Sequence, residues 1–262
     1  MSTDRLKVIH PDAKIGARVE ISPFVTIGAN VEIGEDTWIG PNVSIMDGVK
    51  IGKKCKIFHG AIIGSVPQDL KFGGEASSIE IGNNVTIREY CTLNRGTKAN
   101  YTTLIEDNCL LMAYVHVAHD CILRKGAILA NNVNLAGHIE IGTHATLGGL
   151  TAVHQFVKIG AYTMVGGGSL VRKDIPPYIK AARTPLSYVG VNAIGLKRHQ
   201  FTKEQIHHIQ DVYRILFVKG YNVTQALAVI KKELPISEAQ ETIFDFINAS
   251  DRGLIRGFRQ GK

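Results

Sequence analysis

Five histidines, His116, His119, His138, His144 and His154, fall within 39 residues of a 262-residue chain that holds only ten. Imidazole titrates near neutral pH and ligates metals, so a cluster of this density could do acid–base work or hold a cation. Cysteine suggests less. Cys55, Cys91, Cys109 and Cys121 form no Cys-x-x-Cys pair, which fits a reducing compartment better than a disulfide framework or a zinc knuckle. Whether the histidines meet depends on the elements that carry them.

Those elements follow from a strict repeat. Stepping by six from Ile9 to Ile63 gives ten isoleucines, and the same phase runs on through Ile81, Ile87, Leu93 and Ile105 to Val171. Of 28 positions in this phase, only Asp69, Glu75 and Ala99 are not large aliphatics. A helix repeats at 3.6 and a simple strand at two, so neither produces a six. Glycine often follows the aliphatic (Gly16, Gly28, Gly34, Gly40), which suits a tight corner after each short strand. Small or β-branched residues stand two positions before it, on the same face of a strand, and all four cysteines share that inward phase. The fold expected is a parallel β-helix over about residues 9–175, and the pattern resembles the hexapeptide-repeat family, which implies a triangular prism of three hexads per coil.

With 18 residues per coil, His116, His119, His138 and His154 leave remainders of 8, 11, 12 and 10, and His144 leaves 0. Four histidines therefore stack along one column, and the fifth lies elsewhere. Residues 64–80 and 96–104 break the six-fold pattern and should bulge as loops, where binding residues tend to sit. After Asp174-Ile-Pro-Pro the repeat ends. Thr202-Lys-Glu-Gln opens a helix in capping-box form with Gly220 placed to end it. A second helix follows near 224–233, and Ser237-Glu-Ala-Gln caps a third. The expected domains are a prism over 1–186 and a small helical domain over 187–262.

Charge divides along the same line. Residues 1–170 hold 15 basic and 15 acidic side chains, so the formal charge of +7 lies wholly in the remainder. A basic tail suits an acidic partner; no zinc-finger or aromatic RNA-binding pattern supports nucleic acid. The N-terminal residues lack the apolar core of a signal peptide, and no apolar run approaches bilayer length. A cytoplasmic chain without stable membrane insertion is expected.

Several segments taken together resemble one family. Leu111-Met-Ala-Tyr-Val-His-Val-Ala-His-Asp-Cys, Leu135-Ala-Gly-His, Ala152-Val-His-Gln-Phe, Pro67-Gln-Asp-Leu-Lys, Asp174-Ile-Pro-Pro-Tyr and Gly195-Leu-Lys-Arg resemble the UDP-N-acetylglucosamine O-acyltransferases, hexapeptide-repeat enzymes of lipid A biosynthesis. The resemblance runs from about residue 8 to Arg256 and implies a left-handed prism. It implies transfer of a 3-hydroxyacyl group from acyl carrier protein to the 3-hydroxyl of UDP-N-acetylglucosamine by direct attack. No metal and no cofactor beyond the carrier thioester are implied, and the expected assembly is a homotrimer with sites between neighbouring prisms.

Residue by residue, His119 matches the general base, Asp120 the carboxylate that orients it, and Gly137 the backbone N–H facing the oxyanion. Gln68, Asp69, Lys71, His116, His138, His154 and Gln155 match the substrate-contacting set. Asn192 and Arg198 match nucleotide contacts, and Gly167 falls where the family sets acyl-chain length. Three positions depart from the family pattern: Asn94 replaces a histidine, Ile194 an acidic residue and His199 an arginine. The alternatives are a sibling acyltransferase (a 3-amino acceptor, or later N-acylation), a trimeric zinc hydratase of the γ-type carbonic anhydrase kind, and a non-catalytic scaffold.

Overall fold

A computed structural model describes residues 6–257. The expectation about a leader at residues 1–5, and residues 258–262 of the expected helical domain, lie outside them. The chain winds as a left-handed parallel β-helix whose short strands stack into three sheets of nine, eight and eleven strands. In the regular coils each strand pairs in parallel with the one 18 residues on, as Val8↔Thr26 and Lys14↔Glu32. One aliphatic per strand points inward; Ile39, Ile57, Leu93, Leu111 and Leu135 are fully buried. The four cysteines and small residues such as Val43 and Ala61 fill the space between them. Burial raises the thiol pKa to about 12 in Cys91 and Cys121 and to about 11 in Cys109.

The corners differ from expectation in their chemistry. The residue with left-handed φ stands three positions after the aliphatic, at Arg18, Phe24, Asn30, Asp36 and on every sixth residue wherever the repeat is regular. These non-glycine corners hold φ between 53° and 66° as far as Tyr162, a conformation that costs L-residues roughly 1–2 kcal/mol each outside such a framework. The glycine that follows the aliphatic serves another purpose. A Cβ on Gly34 would lie 2.5 Å from the Gly52 carbonyl carbon, and one on Gly52 would lie 2.5 Å from the Gly82 carbonyl oxygen. Glycine is needed there because the next coil's backbone presses against it, not because the chain turns there.

Both excursions are shorter than expected. Strands Ile62–Ser65 and Ser78–Ile81 narrow the first to residues 66–77, and strands Thr92–Asn94 and Thr102–Ile105 narrow the second to 95–101. They occupy one corner, between the nine- and eight-stranded sheets, in consecutive coils.

Beyond the prism, Ile179–Ala182 and Ser187–Val191 form an antiparallel hairpin that extends the eleven-stranded sheet. The expected boundary at 186/187 therefore cuts through a hairpin, because strand pairing continues after the six-residue period has stopped. The helices are α1 (Ala193–Arg198), α2 (Lys203–Tyr213, continued by a π-helical turn over Arg214–Val218), α3 (Val223–Glu233) and α4 (Glu238–Asn248). The Thr202/Gln205 capping box and the Ser237 cap form as expected, whereas α1 has no counterpart in the sequence reading. Tyr213, fully buried, donates its hydroxyl to the Pro177 carbonyl and anchors α2 to the prism end.

Candidate active site

The corner that carries the two excursions goes on, coil by coil, through Asp120, His138 and Phe156, each with left-handed φ. Left-handed backbone at Asp120 reverses the usual alternation, so His119 and Asp120, though adjacent, meet: His119 Nδ1 lies 2.8 Å from Asp120 Oδ2. A carboxylate only accepts, so Nδ1 carries the proton and Nε2 is left as the basic nitrogen. The pair is secluded, with the Asp120 side chain fully buried and that of His119 12% exposed.

The second excursion holds the carboxylate. Thr97 donates its hydroxyl to Asp120 Oδ2 at 2.6 Å and its amide to Oδ1 at 3.0 Å, and the Asn100 amide reaches Oδ1 at 3.2 Å. Thr103 Oγ1 accepts from the Asp120 amide at 2.8 Å. Burial would push the Asp120 carboxyl up, but the Thr97 hydroxyl, the His119 ring, the Thr97 amide and nearby His138 outweigh it, so its pKa lies below the ordinary value. Asp120 is thus a fixed anion. His138, edge-on to His119 with ring centroids 5.0 Å apart, shifts downward chiefly because burial disfavours its cation. Phe156 stacks on the far side of His138 at 4.5 Å.

Gly137 lies under the imidazole of His119. A Cβ there would come within 2.5 Å of His119 Cε1 and 2.6 Å of Nε2, and its N–H has no hydrogen-bond partner among the described residues. An unpartnered donor beside a base is what a developing oxyanion requires.

A cleft of about 510 Å³ opens in front of this pair, lined by Gln68, Asp69, Lys71, Glu75, Thr97, Lys98, Ala99, His119, His138, Gln155 and Phe156. Six of the expected residues meet in it, and Gly137 lies against the ring of one of them, His119. The others do not line it. His116 hydrogen-bonds Thr92 Oγ1 at 2.8 Å on the sheet face, and His154 Nδ1 meets Arg252 at 3.0 Å. Asn192 caps α1, accepting from the Gly195 amide and donating to the Tyr162 carbonyl, and Arg198 ends that helix exposed. Gly167 is exposed on another corner, with the Gly149 carbonyl 3.1 Å from where its Cβ would stand. His144 stacks apart with Tyr162 and His199.

Of the departures, Asn94 is buried and ties the root of the first excursion, donating to the Ser65 and Val66 carbonyls, whereas Ile194 is exposed. The sequence reading missed Glu75, Thr97, Lys98, Ala99 and Phe156. Two of them, Glu75 and Ala99, stand among its three exceptions to the aliphatic phase, a signal that was present and unused.

His119, Asp120 and His138 bring one ligand atom each within 4.8 Å of one another, as a metal site would. The donor set suits one poorly. Both Asp120 oxygens already accept two hydrogen bonds each, and His119 Nδ1 is spent on one of them.

Fold and site together define a hexapeptide-repeat transferase, with the histidine–aspartate pair set on a prism corner. Family models agree: residues 174–255 match UDP N-acetylglucosamine O-acyltransferase, domain 2, residues 102–137 match the bacterial transferase hexapeptide, and residues 5–97 match the GMPPB C-terminal domain. The acyl-[acyl-carrier-protein]–UDP-N-acetylglucosamine O-acyltransferase of Thiobacillus denitrificans is 43% identical over 195 residues, 74% of this chain and 76% of that one. A UDP-N-acetylglucosamine acyltransferase structure from Bacteroides fragilis superposes with TM-score 0.94 at 48% identity, covering 96% of this chain and 98% of that one. The Arabidopsis enzyme gives 0.84 at 30% identity, over 97% and 99%. The chain belongs to the UDP-N-acetylglucosamine O-acyltransferase family.

Proposed function

We propose that this acyltransferase moves a 3-hydroxyacyl group from acyl carrier protein to the 3-hydroxyl of UDP-N-acetylglucosamine, the first step of lipid A biosynthesis. One observation carries the chemistry. The His119–Asp120 pair leaves Nε2 basic beside the free N–H of Gly137. His119 Nε2 takes the proton from the sugar hydroxyl as its oxygen attacks the thioester carbonyl. Negative charge builds on the carbonyl oxygen toward the Gly137 N–H. As the tetrahedral adduct collapses, the carbon–sulfur bond breaks and the departing thiolate recovers the proton from His119. Attack is direct, because the cysteines are buried with raised pKa values and none lines the cleft. Asp120, saturated by donors, orients the base, so no metal and no cofactor are called on.

Gln68, Asp69, Lys71, His138 and Gln155 line the cleft, which supports a part for them in holding the sugar. His116, His154, Asn192, Arg198 and Gly167 lie outside this chain's cleft, and a homotrimer whose sites form between neighbouring prisms would give them access to substrate. The basic C-terminal segment suits acidic acyl carrier protein. Among the described residues no helix is long and apolar enough to cross a membrane, in keeping with a cytoplasmic enzyme.

The test is acyl transfer from 3-hydroxyacyl carrier proteins of several chain lengths to UDP-N-acetylglucosamine and to its 3-amino analogue, by wild type and His119→Ala. Transfer to the hydroxyl acceptor that collapses in a folded mutant supports the reaction and the base. Transfer to the amine alone would reassign the acceptor. Rising salt should raise the KM for the carrier more than that for the sugar nucleotide, and equal sensitivity would remove the electrostatic docking.

A further inference from the structure

The two excursions are joined in part by a side chain that the mechanism does not use. Glu75, near the end of the first, accepts the Gly73 amide on Oε2 at 2.8 Å and the Lys98 amide of the second on Oε1 at 2.9 Å. Lys98 directly follows Thr97, whose hydroxyl and amide both bind Asp120. The first excursion carries Asp69 and Lys71, folded on themselves by the Lys71 amide to Asp69 Oδ1 at 3.0 Å. Its root is tied down by Asn94, and the Arg95 guanidinium of the second excursion lies over the Phe72 ring of the first. Beside that ring contact, Glu75 joins the two loops by hydrogen bonds, and does so next to the residue that holds Asp120.

We infer that Glu75 is a positioning residue that latches loop 66–77 to loop 95–101, so that seating the sugar acceptor and aligning Asp120 behind His119 occur as one event. This rests on the reading of the cleft under Proposed function. A path runs from Lys71 through Glu75, the Lys98 amide and Thr97 to Asp120 and His119. Its links are hydrogen bonds of 2.6–3.0 Å and short stretches of backbone. Glu75 lines the cleft, but its hydrogen bonds go to neither His119 nor Asp120, so its removal leaves the base in place. Its carboxyl is held below its ordinary pKa foremost by its own amide and that of Lys98, so it is an anion at neutral pH.

The experiment is steady-state kinetics in the sugar acceptor for Glu75→Ala and Glu75→Gln, and for Glu75→Ala in an Asp120→Asn background. Amide hydrogen exchange is measured on the same proteins. Removing the latch should raise the acceptor KM and lower kcat, each roughly tenfold, the order expected when a reacting group is displaced by a fraction of an ångström. Glutamine keeps one carbonyl acceptor and should restore most of kcat. With Asp120 already replaced, Glu75→Ala should lower kcat less than about twofold further, because the group it positions is gone, while the KM rise persists. In exchange, loss of protection should spread from Gly73 and Lys98 to Thr97 and Asn100.

Unchanged KM and kcat in Glu75→Ala, or an equal kcat loss in both backgrounds, would overturn the latch. So would exchange confined to Gly73. If the wild type transfers no acyl group, the functional reading fails, and the exchange pattern still decides whether the two loops are coupled.

Discussion

One corner of the prism joins the nine- and eight-stranded sheets eight times and carries the proposed site in only part of its length. In its second and third coils it carries Asn30 and Gly48, in the sixth to eighth Asp120, His138 and Phe156, all with left-handed φ. The backbone is the same and the function is not. Two things separate the halves: side chains that can move or orient a proton, and the intervening coils, whose corners open into loops 66–77 and 95–101. Both loops line the cleft, and the second donates to Asp120. A repeat scaffold supplies position, and the breaks in the repeat supply the site.

Several substitutions would break that contrast, beginning with the most severe. His119→Gln should lower kcat/KM by about 10³-fold, the usual scale for losing a positioned general base, while a size measurement and circular dichroism stay unchanged. Gly137→Ala follows. A Cβ forced against the His119 ring should cost about 10²-fold in kcat with little change in melting temperature, whereas Asn30→Gly on the lower corner should leave both unchanged.

The pH dependence of stability sharpens the comparison at smaller cost. The folded pKa of His138 lies below its ordinary 6.5, so the unfolded chain takes up that proton first. His138 therefore subtracts stability as pH falls through 6.5 and toward its folded value. Asp120 has the same sign in a lower window, since its depressed pKa gives a stabilising contribution that is kept above its ordinary 3.8 and lost as pH falls below it. Denaturant midpoints between pH 7.5 and 5 should fall less steeply in His138→Gln than in wild type. The smallest change is Cys91→Ala: activity intact, and a destabilisation on the order of 1 kcal/mol from the lost sulfur packing in the core.

The six-residue aliphatic period revealed the prism because every coil repeats the same burial, and the same period put the cysteines inside. Glycine's role was misread because spacing shows where glycine recurs but not which atom crowds it. The hairpin over 179–191 and helix α1 escaped because strand pairing after the last coil has no period to announce it. Within the site, spacing put His119 in the histidine column, but its pairing with Asp120 and the part of Gly137 were legible only through resemblance, since alternation alone would send adjacent side chains to opposite faces. Left-handed φ at Asp120 is what brings them together. Thr97 and Asn100 act largely through backbone amides, which no residue pattern advertises.

The stack also has a worn end and a sheltered one. Val8, Ile9 and Ile15 in the first coil are 67%, 39% and 37% exposed, and full burial begins only in the second coil, at Val25 and Ile27. At the other end the hairpin and the helices close over the last coils. Because each coil leans only on its neighbours, heat should unwind such a column from its looser end, one turn at a time. The corner of the proposed site follows the sixth, seventh and eighth strands of a nine-stranded sheet. Several turns can therefore fray before the reacting groups lose their footing, and catalysis should outlast the first signs of melting.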